Sequence, residues 1–426
     1  MTASGTRGPL LVLFVTAFID MVGLTMILPL LPFYARELGA SATLVGLLIA
    51  AFSLAQLVVA PVWGRFSDRY GRRPAILAGL LVTAAAYLLF AFAGSLLLLL
   101  LSRIIQGVGG GTIGVVQAYV ADASRPEQRT KSLGWLSAVT SLGAVAGPAF
   151  GSLMIALGGR NAPGLAAAGL AALVAVFARR FLRESPLLAT TSGSHGKVAL
   201  TTGRAAIGRI VTRWREPASR LVWIYAVAIG AFYGTGQTAP LLLAERFAIT
   251  EHNVGYFIMY LGGLGVLIRS FLLGPIVDRL GEARLSRLGI VCLAGGLALT
   301  GLARNYLVLG LGFTLMPLGT AFLFPCVTGL LSRVVSSRER GLYMGVQHTF
   351  GGVSRVAFPV AAGVAMDRFG VGVPFWVAGM LVLLTFPLTR GMADFLRPAP
   401  AADSPERAIV AADVTGEMPV APPEAP

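Results

Sequence analysis

Runs of about twenty apolar residues recur along the whole 426-residue chain, divided by short segments that gather glycine, proline and charge. Uncharged runs include Leu38 to Gly64, Ser132 to Gly159, Asn161 to Ala178, Leu221 to Ala244, Asn305 to Ser332 and Phe369 to Thr389. Each is long enough to cross a bilayer, which takes about 20 residues. The pattern predicts twelve helices, over 9–33, 43–63, 75–92, 96–118, 132–157, 163–180, 219–243, 253–274, 287–303, 305–332, 341–364 and 371–391. The first is read as a retained helix, not a cleaved signal, because only Arg7 precedes it, its apolar part is long and it contains Asp20.

Composition agrees with that pattern. At 56 % hydrophobic and 12 % charged residues, with a mean hydropathy of +0.77, the chain has too little polar surface for a globular domain and is read as an all-α membrane protein. The net charge of +15 adds sidedness. Of 34 Lys and Arg, 26 fall in the N-terminus, the even-numbered connections and the C-terminus. Five (Arg36, Arg160, Arg246, Arg304 and Arg368) fall in the odd-numbered connections and three within helices. The positive-inside rule then puts both termini in the cytoplasm, and the basic excess needs no nucleic acid. Lys131 and Lys197 are the only lysines, which hints at a GC-rich bacterial genome and a bacterial cytoplasmic membrane. Cys292 and Cys326, inside the ninth and tenth helices, read as packing thiols.

The chain also repeats itself. Gly64, Asp68, Arg69 and Gly71 recur 210 residues later as Gly274, Asp278, Arg279 and Gly281, while Pro29, Arg129, Gly134 and Pro148 recur at 211 as Pro240, Arg340, Gly345 and Pro359. A duplicated six-helix unit predicts a bundle over 1–180, a cytoplasmic linker over 181–218, a second bundle over 219–392 and a disordered Pro- and Ala-rich tail over 393–426. In the linker, Ile207, Ile210, Val211 and Trp214 share one helical face opposite Arg209 and Arg213. That pattern suits a helix lying on an anionic leaflet or a plain solvated helix.

Four motifs in order carry a family resemblance. "GRFSDRYGRRP" (64–74) resembles the loop motif of the major facilitator superfamily, with Phe66 in place of Leu. "LSRIIQGVGGG" (101–111) resembles the family's Arg-containing motif of helix four, and "GAVAGPAFGS" (143–152) its helix-five antiporter motif, with Ser152 replacing the last glycine. "DMVGLTMILPLLP" (20–32) is similar to helix one of drug:proton antiporters, tetracycline exporters included. The resemblance implies two facing bundles that alternate access to a central cavity. It also implies that Asp68 latches the halves in the outward-facing state against the eleventh helix near Gly341, with a local salt bridge alone as the alternative. By their own chemistry, Gly64 and Gly71 permit a tight turn, Arg69, Arg72 and Arg73 meet headgroups, and Asp278 and Arg279 repeat the pattern. Gly143, Gly147 and Gly151, four residues apart, let another backbone approach, and Pro148 permits a bend. "GGGTIG" (109–114) matches a nucleotide fingerprint in letters alone, since no strand precedes it.

Asp20 is the acid that needs a reason. About eleven residues into its helix it lies roughly 16 Å deep, where a carboxylate costs about 2.5–3.5 kcal/mol. It is therefore read as a proton-coupling site tuned by Arg103, with a fixed Asp20–Arg103 ion pair as the alternative. At the repeat offset these positions fall on Gly230 or Ala231 and on Phe313 or Thr314, so coupling is assigned to the first half. Arg355, about fourteen residues into the eleventh helix, either awaits an anion or bonds backbone carbonyls, Gln347 or His348. Arg269 reads as an interfacial anchor. Gln56, Gln106, Gln117, Tyr233, Gln237, Tyr256, Tyr260, Phe324, His348 and Arg355 are candidates to line the cavity. The third and ninth helices lack the carboxylates that tetracycline exporters carry, so tetracycline is one candidate among many. No nucleophile with a base, metal cluster or phosphate loop appears, and no enzyme activity, metal or cofactor is expected. The expectation is a monomeric, proton-coupled exporter of small organic molecules. A symporter or facilitator for organic anions using Arg103 and Arg355 is the alternative, and a non-transporting assembly factor a minor one.

Overall fold

The computed structural model describes residues 7–124, 128–182, 205–336 and 339–392. The tail expected over 393–426 and the first part of the linker lie outside the described residues.

Every expected helix has a counterpart. They are α1 (Arg7–Ile27 and Leu31–Glu37), α2 (Ala42–Tyr70), α3 (Arg72–Ala91), α4 (Leu96–Gly110 and Ile113–Asp122), α5 (Arg129–Gly158) and α6 (Ala162–Phe181) in the first half. The second half holds α7 (Pro217–Phe247), α8 (Val254–Leu267, a π-helical turn Ile268–Leu272, and Leu273–Leu280), α9 (Glu282–Leu302), α10 (Tyr306–Val334), α11 (Arg340–Phe369) and α12 (Val373–Leu384 with a 3-10 turn Phe386–Thr389). Ten are long and apolar enough to cross a membrane. The others are α7, which is 31 residues long but polar in its second half, and the shorter α12.

Departures from the expected boundaries have local causes. α2 runs seven residues beyond 63, so Gly64 is inside a helix and its Cβ position is open. The tight turn is made instead by Gly71 at φ +110°, and in the second half by Gly281 at φ +75°, a left-handed backbone that glycine tolerates. α4 breaks at Gly111 and Thr112. There Trp63 Nε1 donates to the Val108 carbonyl at 2.6 Å and Gln56 Nε2 to the Gly110 carbonyl at 3.1 Å, which satisfies backbone oxygens that lipid would leave bare. The glycines at 109–111 thus serve helix packing: a Cβ on Gly111 would lie 2.7 Å from the Trp63 ring, and one on Gly109 would strike Thr83.

In the first half α1 packs on α5 and α6, and α3 on α4 and α6; in the second, α9 packs on α10 and α12, and α7 on α11. The halves meet through α2 with α11 and α5 with α8. At the end opposite the termini these crossings are backbone-close. Gly46 on α2 sits on the Pro359 carbonyl, Gly363 on the Ala42 carbonyl, and Gly255 on α8 on the Pro148 carbonyl, each nearer than a Cβ would allow. Asp367 at the end of α11 accepts from the Ala42 amide (2.9 Å), the Thr43 amide (2.8 Å) and the Thr43 hydroxyl (2.7 Å), capping α2. Ser152 donates to the Glu251 carbonyl at 2.9 Å and accepts from the Gly255 amide at 3.0 Å, tying α5 to α8. Among the described residues, every hydrogen bond between the halves lies at this end.

The short helix over 205–212 joins the halves on the other side. Ile210 is buried and its carbonyl accepts from Trp223 Nε1 at 3.4 Å, whereas Ile207, Val211 and Trp214 are exposed. The expected apolar face is therefore divided between the bundle and the surroundings. Arg209 and Arg213 pair with Glu216 at 2.8 and 3.3 Å, and the bond from Arg209 holds its carboxyl below the usual carboxylate range. Cys292 and Cys326 are free.

The Asp367 cap gives a direct expectation. In a background with Cys292→Ala and Cys326→Ala, Asp367→Ala should raise maleimide labelling of an Ile49→Cys probe, buried in wild type, by about tenfold, because hydrogen bonds to a charged group contribute about 1.5–3 kcal/mol each. Unchanged labelling would show that the glycine contacts hold the end closed by themselves.

Candidate functional site

The helix-five motif places the acid. A Cβ on Gly143 would lie 2.6 Å from the Phe18 carbonyl and one on Gly147 2.7 Å from the Val22 carbonyl, while Gly151 meets the Met26 carbonyl. The α5 glycine face thus lies against the stretch of α1 that contains Asp20, and Pro148 sits where α5 crosses α8. Asp20 lines a cavity of about 600 Å³ inside the first half, with Thr16, Thr112, Gln117, Ser137 and Thr140 as polar neighbours and Ile76 and Leu80 among its apolar wall. Among the described residues Asp20 has no hydrogen bond or ion pair.

Arg103 does not pair with it. At 1 % exposure the guanidinium is sealed: Nη2 donates to Gln106 Oε1, and the group lies 5.4 Å above the Phe52 ring. Its Nε and Nη1, together with Gln106 Nε2, Tyr87 Oη and Thr16 Oγ1, have no partner. These five are most of the eight such buried atoms among the described residues, so the unsatisfied polarity concentrates here. Tyr87 connects the parts. Its ring lies on Gly23, 3.3 Å from the Cβ position and one turn from Asp20, and its hydroxyl faces Asp20, Gln106 and Arg103. Sequence reasoning missed this residue, whose sole signal is being the only tyrosine in the third apolar run.

In the second half, α11 presents His348, Gly351 and Arg355 on one face. Arg355 faces Tyr225 and His348, and it carries no ion pair or hydrogen bond among the described residues. Gln347, an expected partner, donates to Thr328 instead at 3.3 Å. Tyr225 forms edge contacts with Phe324 (5.4 Å) and His348 (6.4 Å). Tyr225, also unforeseen, lies on α7 two turns before Tyr233, which faces Arg103.

The remaining candidates disperse. Gln56 braces α4; Gln237 borders a small cavity of about 80 Å³ with Thr25, Ala144 and Pro148; Tyr260 bonds Thr314 at 2.9 Å and lines an outer apolar groove with Tyr256. Arg269 falls in the π-helical turn of α8. In the loop motif Asp68 pairs with Arg72 at 2.9 Å and makes no hydrogen bond to α11; Arg72 also reaches Asp122 at 3.3 Å. Arg73 donates to the Arg179 carbonyl at 2.5 Å, and Arg69 stacks on Tyr70 at 5.3 Å. Gly341, Asp278 and Arg279 are exposed. The local salt bridge, not the latch, is formed in this conformation.

Two six-helix bundles meeting through α2–α11 and α5–α8, with ionisable side chains buried between apolar helices, define a multi-pass membrane transport protein built from a duplicated half. The chain belongs to the Major Facilitator Superfamily, whose model matches residues 13–300 and 221–414. It is 27 % identical to Multidrug resistance protein 2 of Bacillus subtilis (strain 168), over 89 % of this chain and 94 % of that one. It is 30 % identical to the class G tetracycline resistance protein of Vibrio anguillarum, over 87 % and 94 %. The crystal structure of the human organic anion transporter MFSD10 (TETRAN) matches 91 % of this chain and 100 % of its own, with a TM-score of 0.66 and 26 % identity. The family's members are transporters of small molecules, not enzymes.

The contact of α5 with α1 predicts that Gly147→Leu abolishes transport and lowers thermal stability by at least about 1–3 kcal/mol, because the side chain meets backbone that cannot yield. Gly134→Ala, whose Cβ meets nothing, should match wild type in the same thermal unfolding and uptake assays.

Proposed function

We propose that this transporter exports small organic molecules or drugs in exchange for protons across a bacterial cytoplasmic membrane, as a monomer with both termini inside. The halves, 1–180 and 219–392, rock about a central cavity. The observation that carries the proposal is Asp20: a carboxylate without a protein partner, deep in α1, on the wall of a cavity. An acid in that position exchanges between a neutral form suited to an apolar surround and an ionised form suited to water, and access to each side changes which is favoured. Tyr87, Gln106 and Arg103 form the polar contact through which a change at the cavity reaches it. The closed far end and the unlatched Asp68 fit a state open toward the basic side, from which proton release and substrate loading start. The resistance relatives support efflux as the direction.

A second reading, an organic-anion carrier, has its own support: Arg103 and Arg355 lack any carboxylate partner among the described residues, and a solved relative at 26 % identity is named an organic anion transporter.

In everted vesicles with an imposed inward-acidic gradient, wild type should accumulate cationic dyes. Asp20→Asn should lose that uptake by more than about tenfold while inserting and folding normally. Dye uptake that survives Asp20→Asn would remove Asp20 from coupling.

A further inference from the structure

Arg103 and Arg355 are the two deep cations without acids, but they differ in access. Arg103 is sealed at 1 % exposure beneath Phe52 and Gln106. Arg355, Tyr225 and Phe324 are part-exposed and His348 is exposed, so these four side chains are open to an arriving molecule. Helical spacing puts His348, Gly351 and Arg355 on one face of α11. Gly351 has no side chain, and Tyr225 Cε1 lies 2.9 Å from the position a Cβ would take. The tyrosine ring is thereby seated on the α11 face at Gly351, between the turns that carry His348 and Arg355. Phe324 of α10 meets that ring edge-on at 5.4 Å and 63°, and His348 meets it at 6.4 Å and 81°, so an aromatic cluster adjoins the helix face that carries the cation.

We infer that Arg355, Tyr225, Phe324 and His348 form a binding site in the second half for a flat aromatic ring bearing a carboxylate. The guanidinium takes the carboxylate through charge-assisted hydrogen bonds. Tyr225 and Phe324 take the ring in the offset and edge-on contacts that aromatic groups favour. His348 adds a donor at the rim. Three features select against other ligands. An organic cation meets Arg355 with no acid nearby to offset it. An uncharged aromatic gains the ring contacts and forgoes the ion pair where water competes least. An aliphatic acid forgoes the aromatic walls. Helix α7 carries Tyr233 two turns beyond Tyr225, toward Arg103, roughly 12 Å further along the helix axis.

This inference rests on the anion-carrier reading and names its ligand class, yet its test is independent of transport. Purified full-length protein in detergent is titrated with 1-naphthoate by isothermal calorimetry, beside methyl 1-naphthoate, 1-naphthylmethylammonium and cyclohexanecarboxylate. Naphthoate should bind at least about tenfold more tightly than each of the three. Arg355→Gln should weaken it by about tenfold or more, Arg355→Lys by less because it keeps charge without the planar fork, and Tyr225→Leu by about tenfold. If Arg355→Gln fails to fold, the Lys and Tyr225→Leu variants decide. Equal binding of the ester or the ammonium, or unchanged naphthoate binding in Arg355→Gln and Tyr225→Leu, overturns the site. Anion uptake in vesicles that ignores Arg355 also overturns it while leaving the carrier reading in place; binding that follows the order above without uptake keeps the site and removes that reading.

Discussion

Gly46 and Gly255 rest directly on the Pro359 and Pro148 carbonyls, and the rest of the structure is arranged around these two contacts. Lipid supplies no hydrophobic force to drive helices together, so two bundles adhere only where backbones approach closely or polar groups bond. Both devices occur at one end: small residues at the crossings of α2 with α11 and of α5 with α8, and the Asp367 and Ser152 hydrogen bonds beside them. The same two helices carry irregularities further along, α2 Pro61 inside a continuous helix and α8 the π-helical turn at 268–272, which includes the position 210 residues on. A helix clamped at one end and weakened along its length can bend without losing the clamp. The closed far end then explains why Asp68 has only Arg72, and why the α11 face bearing Arg355 is open.

The duplicated frame carries chemistry that is not duplicated. At the repeat of Asp20, Gly230 is pressed so closely on Phe358 and Ser354 that a Cβ would lie 2.5 and 2.8 Å away. No acid fits there. Conversely, Ala144 is the repeat partner of Arg355 and borders only a small cavity near Pro148. Each half has spent its close packing differently: α5 on α1 frees a cavity beside Asp20, whereas α11 on α7 leaves a glycine gap filled by Tyr225. In the proposed cycle the first half holds the proton, and the crossings at α2–α11 and α5–α8 join its movement to that of the second half.

Helix number and order were legible from apolar runs, because a bilayer enforces about twenty residues per crossing whatever the neighbours are. The glycine face of α5 was legible too, since four-residue spacing has one geometric meaning. What was not legible is what each polar side chain touches. Gln56 and Arg103 look alike in sequence, polar residues in apolar helices, yet one satisfies a broken backbone and the other is locked onto Gln106. Gly64 reads as a turn residue beside Gly71, but the helix runs on through it to Tyr70 and the turn falls at Gly71 alone. Ser152 read as a defect in a motif; its hydroxyl in fact joins the halves. Tyr87 and Tyr225 carried little sequence signal, because tyrosine is ordinary in membrane helices and only the neighbour across the helix gap gives it a role.

The sealed position of Arg103 constrains any account of coupling. A guanidinium covered by Phe52 and bonded to Gln106 cannot meet a solute unless α2 and α4 separate, and α2 is one of the two helices that join the halves. Movement of α2 on α11 therefore bears directly on the cover of Arg103. No ion pair joins Arg103 to the deep acid; Gln106 of α4 bonds the guanidinium, and Tyr87 of α3 lies near both groups. A direct Asp20–Arg103 bridge would brace α1 against α4 and oppose such movement. In the proposed cycle the absence of that bridge leaves the acid free to change its charge when the halves move.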